Sequence, residues 1–199
     1  MGVSLREIIR VKEISIDDLK SRILAVDAYN QLYQYLTTIR GKDGALLKDS
    51  HSNITSHLVG LFSRTANLMQ KNIKLAFVFD GIPPELKQGE IERRAELKRV
   101  AKILYEKAVQ KEDIDEMRKY AGRTAKLTLE MVEDAKKLLG FLGIPCIQAP
   151  SEADAQIALM VKKNDAYACV SQDFDALLHG APRIVRNLSI AGRKKKANT

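Results

Sequence analysis

A short apolar run that stops at or near an acid, then hands over to a helical stretch, recurs along this chain and limits its fold more than any other feature. Residues 22–27 read RILAVD ahead of helical spacing over 28–39, and residues 74–80 read KLAFVFD and stop at Gly81-Ile82-Pro83-Pro84. Residues 144–148 (IPCIQ) precede a helix over 151–163, residues 166–173 read AYACVSQD, and 183–188 (RIVRNL) form a further strand candidate. Strands alternating with helices predict an α/β fold with a mostly parallel sheet and crossover connections. Runs that are continuously apolar, rather than alternating, predict a sheet covered on both faces. A chain of 199 residues suits one such domain, which buries roughly 70% of its unfolded surface.

Between the second and third strands the character changes. From residue 85 to 120 there are ten basic and nine acidic residues, too many for a thick core stripe, so this region reads as solvated helix. Leu97, Val100, Leu104 and Val109 give it one narrow apolar face, residues 113–120 begin a second helix, and 127–142 form a third that faces the core. The last residues, AGRKKKANT, are basic with no apolar residue beyond alanine, and order is expected to end there.

Composition removes several function classes. No apolar run approaches the ~18–20 residues of a membrane span, and the start MGVSLREIIR has neither the apolar region nor the cleavage site of a signal peptide. Arg6 breaks the myristoylation pattern. Cys146 and Cys169 lack metal-ligand spacing and read as buried thiols of a reducing, intracellular compartment (cytoplasm, nucleoid or nucleus). His51, His57 and His179 form no zinc motif. A net charge of +8 favours a polyanionic partner, and nothing calls for an obligate oligomer, so a monomer is expected.

The acids carry the chemistry. Asp27, Asp80, Glu152 with Asp154, and Asp173 with Asp175 all stand where strands end. In a parallel sheet those ends share one edge, and ligands bind outside it. Six carboxylates in one cleft repel each other unless protonated or offset by cations. An all-oxygen set without His or Cys selects Mg²⁺ or Mn²⁺, and two such ions ~4 Å apart suit in-line phosphodiester displacement. The ordinary reading of Asp27 and Asp80 is as loop acids or helix caps. For Ser151-Glu152-Ala153-Asp154 it is a capping box with Ser151 as N-cap.

The segments VDAYNQLYQYL, TSHLVGLFSRT, FVFDGIPPELKQGE, ERRAELKR, QAPSEADAQIA and SQDFDALLHGAPRIVRNL, in that order, resemble the structure-specific 5′-nucleases and, among them, the archaeal–eukaryotic flap endonucleases. The likeness runs through Leu188. It implies a PIN-like, Rossmann-like core over residues 1–192 with a helical gateway and cap inserted at 82–122, and a basic tail at 193–199. It implies hydrolysis of DNA near the base of single-stranded 5′ flaps in replication and repair, with two Mg²⁺ or Mn²⁺ ions held by Asp27, Asp80, Glu152, Asp154, Asp173 and Asp175. Asp154 stands where some members have Glu. Lys87 and Arg94 match gateway bases at the scissile phosphate, and Tyr33 matches a tyrosine that stacks on a base. Gly2, Arg40, Arg64, Arg93 and Lys98 match or neighbour positions facing DNA.

Arg93, Lys98, Arg99 and Lys102 also have an ordinary reading as helix-surface partners of nearby acids, and Tyr33 as core packing. The family pattern continues past residue 199 into a seventh acid, a helix–two-turn–helix element that grips duplex DNA, and a sliding-clamp peptide. The chain therefore reads as the front of a longer nuclease, or alternatively as a DNA-binding core with little or no turnover. A PIN-type ribonuclease is disfavoured by the gateway bases. A D-x-D phosphatase is disfavoured because Asp27 is followed by Ala28-Tyr29.

Overall fold

The computed structural model describes residues 9–41, 45–111, 113, 116, 120 and 126–188. Gly2, the basic tail at 193–199 and most of the helix expected over 113–120 lie outside them. Strands Ile23–Asp27 (β1), Lys74–Phe79 (β2), Cys146–Gln148 (β3), Ala168–Val170 (β4) and Ile184–Val185 (β5) form one sheet. Its order is β3-β2-β1-β4-β5 and every pairing is parallel. The crossovers carry helices Ala28–Thr38 (α1), Ser56–Gln70 (α2), Gln88–Gln110 (α3), Leu129–Phe141 (α4), Ala153–Lys162 (α5) and Asp175–Leu178 (α6). This is the predicted α/β class.

Side chains alternate across the pleat, so each strand feeds two cores. Leu24, Val26, Leu75, Phe77 and Phe79 meet Leu32 of α1, Leu61 of α2 and Val132, Ala135 and Leu139 of α4. Ala25, Ala76, Val78 and Cys169 meet Ile157, Ala158 and Val161 of α5 on the other face. The small residues on this second face let α5 lie close to the sheet. Thr128 caps α4 by accepting from the Met131 N–H at 3.3 Å. Gly143, at φ 70°, ends that helix in a left-handed turn that few other residues adopt, and β3 follows.

The register sets up the site. Asp27 lies level with Val78, so Asp80 stands two residues further beyond the same edge. β1 is the central strand, flanked by β2 on one side and β4 on the other. Chain direction around it reverses from leftward to rightward addition, which opens a crevice at the carboxyl ends.

Three local details qualify the sequence reading. α3 is a largely solvated helix, as its charge predicts: Leu97, Val100, Leu104 and Val109 are between 36% and 57% exposed, and among its described side chains Ala101 and Ala108 are buried. Cys146 is exposed while Cys169 is buried, because β3 is an edge strand. Ser151 is not the cap of α5: Glu152 holds the N-cap position and makes no side-chain cap bond. No helix among the described residues is long and apolar enough to cross a membrane.

Candidate functional site

Each acid stands where backbone geometry puts it. Asp27, the last residue of β1, is also the N-cap of α1, and its Oδ1 accepts from the Asn30 N–H at 3.0 Å. Asp80 follows β2 directly, and its Oδ1 accepts from the Ala153 N–H at 2.7 Å. The first amide of α5 is thus capped from another strand, which is why Ser151 is not needed. Gly81 makes this approach possible, since a Cβ there would run into the backbone of Ala149 and Pro150. Gln148 at the end of β3 donates to the Asp80 carbonyl at 2.6 Å and ties the two strand ends together. Asp173 lies in the turn after β4, within 3.5 Å of the Asn30 amide, and Asp175 opens α6.

Asp27, Asp80, Glu152, Asp154, Asp173 and Asp175 all line one cleft of about 750 Å³. Lys87, Arg94 and Tyr33 line it too. Lys87, which ends the short 3₁₀ turn Glu85–Lys87 ahead of α3, forms an ion pair with Glu152. The second Glu152 oxygen faces His179 Nε2 at 3.7 Å. Arg94 is engaged within its own helix, its Nε donating to Glu90 at 2.8 Å, and Arg93 grips the same Glu90 through two bonds of 2.7 and 2.8 Å. Arg99 is likewise paired with Glu96 at 2.7 Å. Lys98 is different. Its Nζ donates to the Tyr33 hydroxyl at 3.0 Å and joins α3 to α1.

The charge in the cleft is under strain. Burial, then the Asp154 and Asp80 carboxylates, push Asp27 up to about 7 against the opposing Asn30 N–H. Asp154 is pushed up to about 6 by burial, Asp175 and Asp80, with His179 and Lys87 opposing. Such paired elevation is what burial and crowding of carboxylates produce, and either protonation or a cation relieves it. The donor chemistry, all oxygen and partly desolvated, fits hard divalent ions. Among the described residues no three His, Cys, Asp or Glu side chains already stand as a ready set around one point, so a bound ion would draw these carboxylates inward.

Two candidates lie elsewhere. Arg40, at the end of α1, donates from Nε to the Thr37 carbonyl at 3.3 Å and does not line the cleft. Arg64 of α2 lies over the Tyr35 ring at 5.5 Å and borders a neighbouring hollow with Gln31, Gln34 and Gln172. Two residues escaped sequence reasoning. Asn30 stands one helical turn after Asp27, and His179 one turn after Asp175; both spacings place a polar side chain on the same helix face as an acid.

Comparison with known proteins agrees with this architecture. The family profile described as the XPG N-terminal domain matches residues 1–101, and the XPG I-region matches 143–199. Flap endonuclease 1 of Hyperthermus butylicus is 55% identical over 98% of this chain, which spans 57% of that relative's length. The solved flap endonuclease-1 of Methanococcus jannaschii superposes with a TM-score of 0.72 at 46% identity, over 96% of this chain and 61% of that one. The catalytic core of Rad2, solved with DNA substrate, gives 0.66 at 29% identity, over 92% of this chain and 48% of that one. With its N-terminal domain and I-region meeting at one acidic cleft, this chain belongs to the XPG nuclease family and resembles flap endonuclease 1 over the part it spans.

Proposed function

We propose that the cleft is the active centre of a divalent-metal-dependent 5′-nuclease acting on flap DNA. The observation that carries this reading is the convergence of six carboxylates from four strand ends, with Lys87 and Arg94 at the rim of the same cleft. Flap endonucleases and a DNA-bound Rad2 core are among its relatives. Mg²⁺ or Mn²⁺, two per site, bound by Asp27, Asp80, Glu152, Asp154, Asp173 and Asp175, supplies a water of lowered pKa and positive charge for the phosphate oxygens.

The chain's own residues then divide the work. The backbone-anchored acids Asp27 and Asp80 fix the floor of the site, and Glu152, Asp154, Asp173 and Asp175 close its sides. Lys87 and Arg94 approach the scissile phosphate and offset the charge that grows on it in the transition state. Tyr33 offers a ring on which any base can stack, at roughly 1–3 kcal/mol. Residues 82–122 form the gateway and cap within a core of residues 1–192. Arg93 and Lys98 on α3, with Arg40, Arg64 and Gly2, steer the strand. A sliding clamp is the further partner expected of the whole protein, which acts inside the cell as a monomer.

The test is a labelled 5′-flap duplex incubated with Mg²⁺ at low salt, comparing the chain with Asp173→Ala. Cleavage at the flap base that is lost in the variant supports the nuclease reading. Equal product from both proteins sinks it, and binding without cleavage by either leaves only a DNA-binding core.

A further inference from the structure

We infer that Lys87 is a tethered counter-ion for Glu152. It holds the carboxylate oxygen that a divalent cation takes when the cleft is loaded, so that cation binding and release of the start of α3 are coupled. This deepens the reading of the acids as a metal site and rests on it.

Glu152 is set apart from the two acids anchored to backbone amides. Asp27 and Asp80 each have one oxygen committed to an N–H. Glu152, although it occupies the N-cap position of α5, makes no cap bond. Its oxygens instead face basic side chains, the Lys87 ammonium on one and the His179 imidazole on the other. The other gateway base lining the cleft, Arg94, is turned onto Glu90. Among the described residues, Lys87 is therefore the rim lysine or arginine in ion-pair contact with a member of the acid cluster, on a Glu152 oxygen that has no hydrogen-bond partner.

The two partners differ in freedom. The Glu152 side chain is 19% exposed and the Lys87 side chain 57%. The carboxylate is the fixed member, and the lysine reaches in on a flexible stem. A dication at the same oxygen doubles the Coulomb attraction of a monocation at equal distance, and neighbouring carboxylates add to that preference. Exchange therefore favours the divalent ion.

Chain mechanics transmit the exchange. Lys87 closes the one-turn 3₁₀ helix after Pro84 and is the residue immediately before α3. α3 presents Leu97, Val100, Ile103 and Leu104 to solvent, so little apolar burial pins it. Freeing Lys87 loosens the root of the helix, while Lys98 on Tyr33 still tethers it further along. The freed ammonium then stands beside the same cleft, available to a phosphate. A single lysine thus guards the empty site and serves the loaded one.

The experiment measures Mn²⁺ binding by the EPR signal of the free ion, without DNA, for wild type, Lys87→Met, Arg94→Met and Asp154→Asn. Hydrogen exchange of residues 83–95 is followed in the same samples. Lys87→Met is expected to bind Mn²⁺ roughly three- to tenfold tighter than wild type, the range for a half-exposed charge-assisted bond. Its α3 root should exchange fast even without the ion, whereas wild type should speed up only on loading. Arg94→Met removes one rim charge that is not on a cluster acid. An equal gain in that variant, or no gain in Lys87→Met, overturns the counter-ion role. Asp154→Asn separates this from the underlying reading. Weakened binding there keeps the metal site standing, while unchanged binding removes the site and the proposal together.

Discussion

Replacing Asp27 by asparagine should make the metal-free protein more stable at neutral pH and above. Asp27 is held at about 7 against an ordinary value of 3.8. Near 1.4 kcal/mol per unit, those roughly three units set a ceiling of about 4 kcal/mol on the folded-state penalty for its charge. Asp154 is raised by the same crowding, so protonation is shared and water reaches the cleft; a gain of about 2 kcal/mol is the working figure. Asparagine keeps the α1 cap, because its side-chain oxygen accepts from the Asn30 N–H as well as aspartate does. The substitution therefore isolates the charge.

The sign follows from linkage. A folded-state pKa above the unfolded one gives stability that is complete below pH ~4 and is lost as pH rises through ~7. Wild type should match the variant near pH 4 and fall behind it up to about pH 7, with the gap then constant. Thermal unfolding in EDTA at several pH values reads this out, with a melting shift of roughly 4–8 °C for about 2 kcal/mol at this chain size. Saturating Mg²⁺ should shrink or reverse the gap, since the ion binds the folded wild type better. A difference that does not vary with pH, or a variant less stable at pH 8, would refute the account of the cleft as electrostatically strained.

Lys87→Ala or Arg94→Ala should lower turnover on flap DNA by roughly 10²–10³ with a much smaller change in Kd; losses carried by Kd alone would remove both from the transition state. Asp80→Ala should be less stable than Asp80→Asn by about 1 kcal/mol, because only asparagine still caps α5 at Ala153; equal urea midpoints would deny the cap. His57 is 1% exposed, and burial lowers its pKa below the usual 6.5. Its contribution is therefore present above pH 6.5 and lost as pH falls. Substituting Leu should flatten that part of the stability profile, and an unchanged slope between pH 6.5 and 5 would contradict it.

How much was legible in sequence depended on which force set each feature. Strand and helix order was legible because hydrophobic burial writes its period directly into the chain: RILAVD and KLAFVFD became β1 and β2, trimmed by a residue at one end. The acids were legible because a parallel sheet puts every carboxyl end on one edge, whatever the details. The solvated character of α3 was legible in its density of charge, but its buried positions were not: Ala101 and Ala108 are buried, and such small side chains carry almost no hydrophobic signal. The cap of α5 stayed open in the sequence because the local pattern at Ser151 is sufficient for a box, and only tertiary structure brings Asp80 to the helix first.

That last point bears on the site itself. Capping and metal binding looked like rival explanations for Asp27 and Asp80, yet the structure realises the cap for both while leaving both in the cleft. A carboxylate has two oxygens and about four acceptor positions, so one bond to a backbone N–H does not exhaust it. The cap has a further consequence: it partly offsets the repulsion that otherwise drives like charges apart in a low-dielectric cleft. Asp27 is pulled down by Asn30 even as its neighbours push it up. Backbone amides thus hold part of the acidic cluster in place before any cation arrives. Glu152 lacks such an anchor, and its oxygens face the side chains of Lys87 and His179 instead. In this chain Asp27 and Asp80 are tied to backbone amides, whereas Glu152 makes no such cap bond.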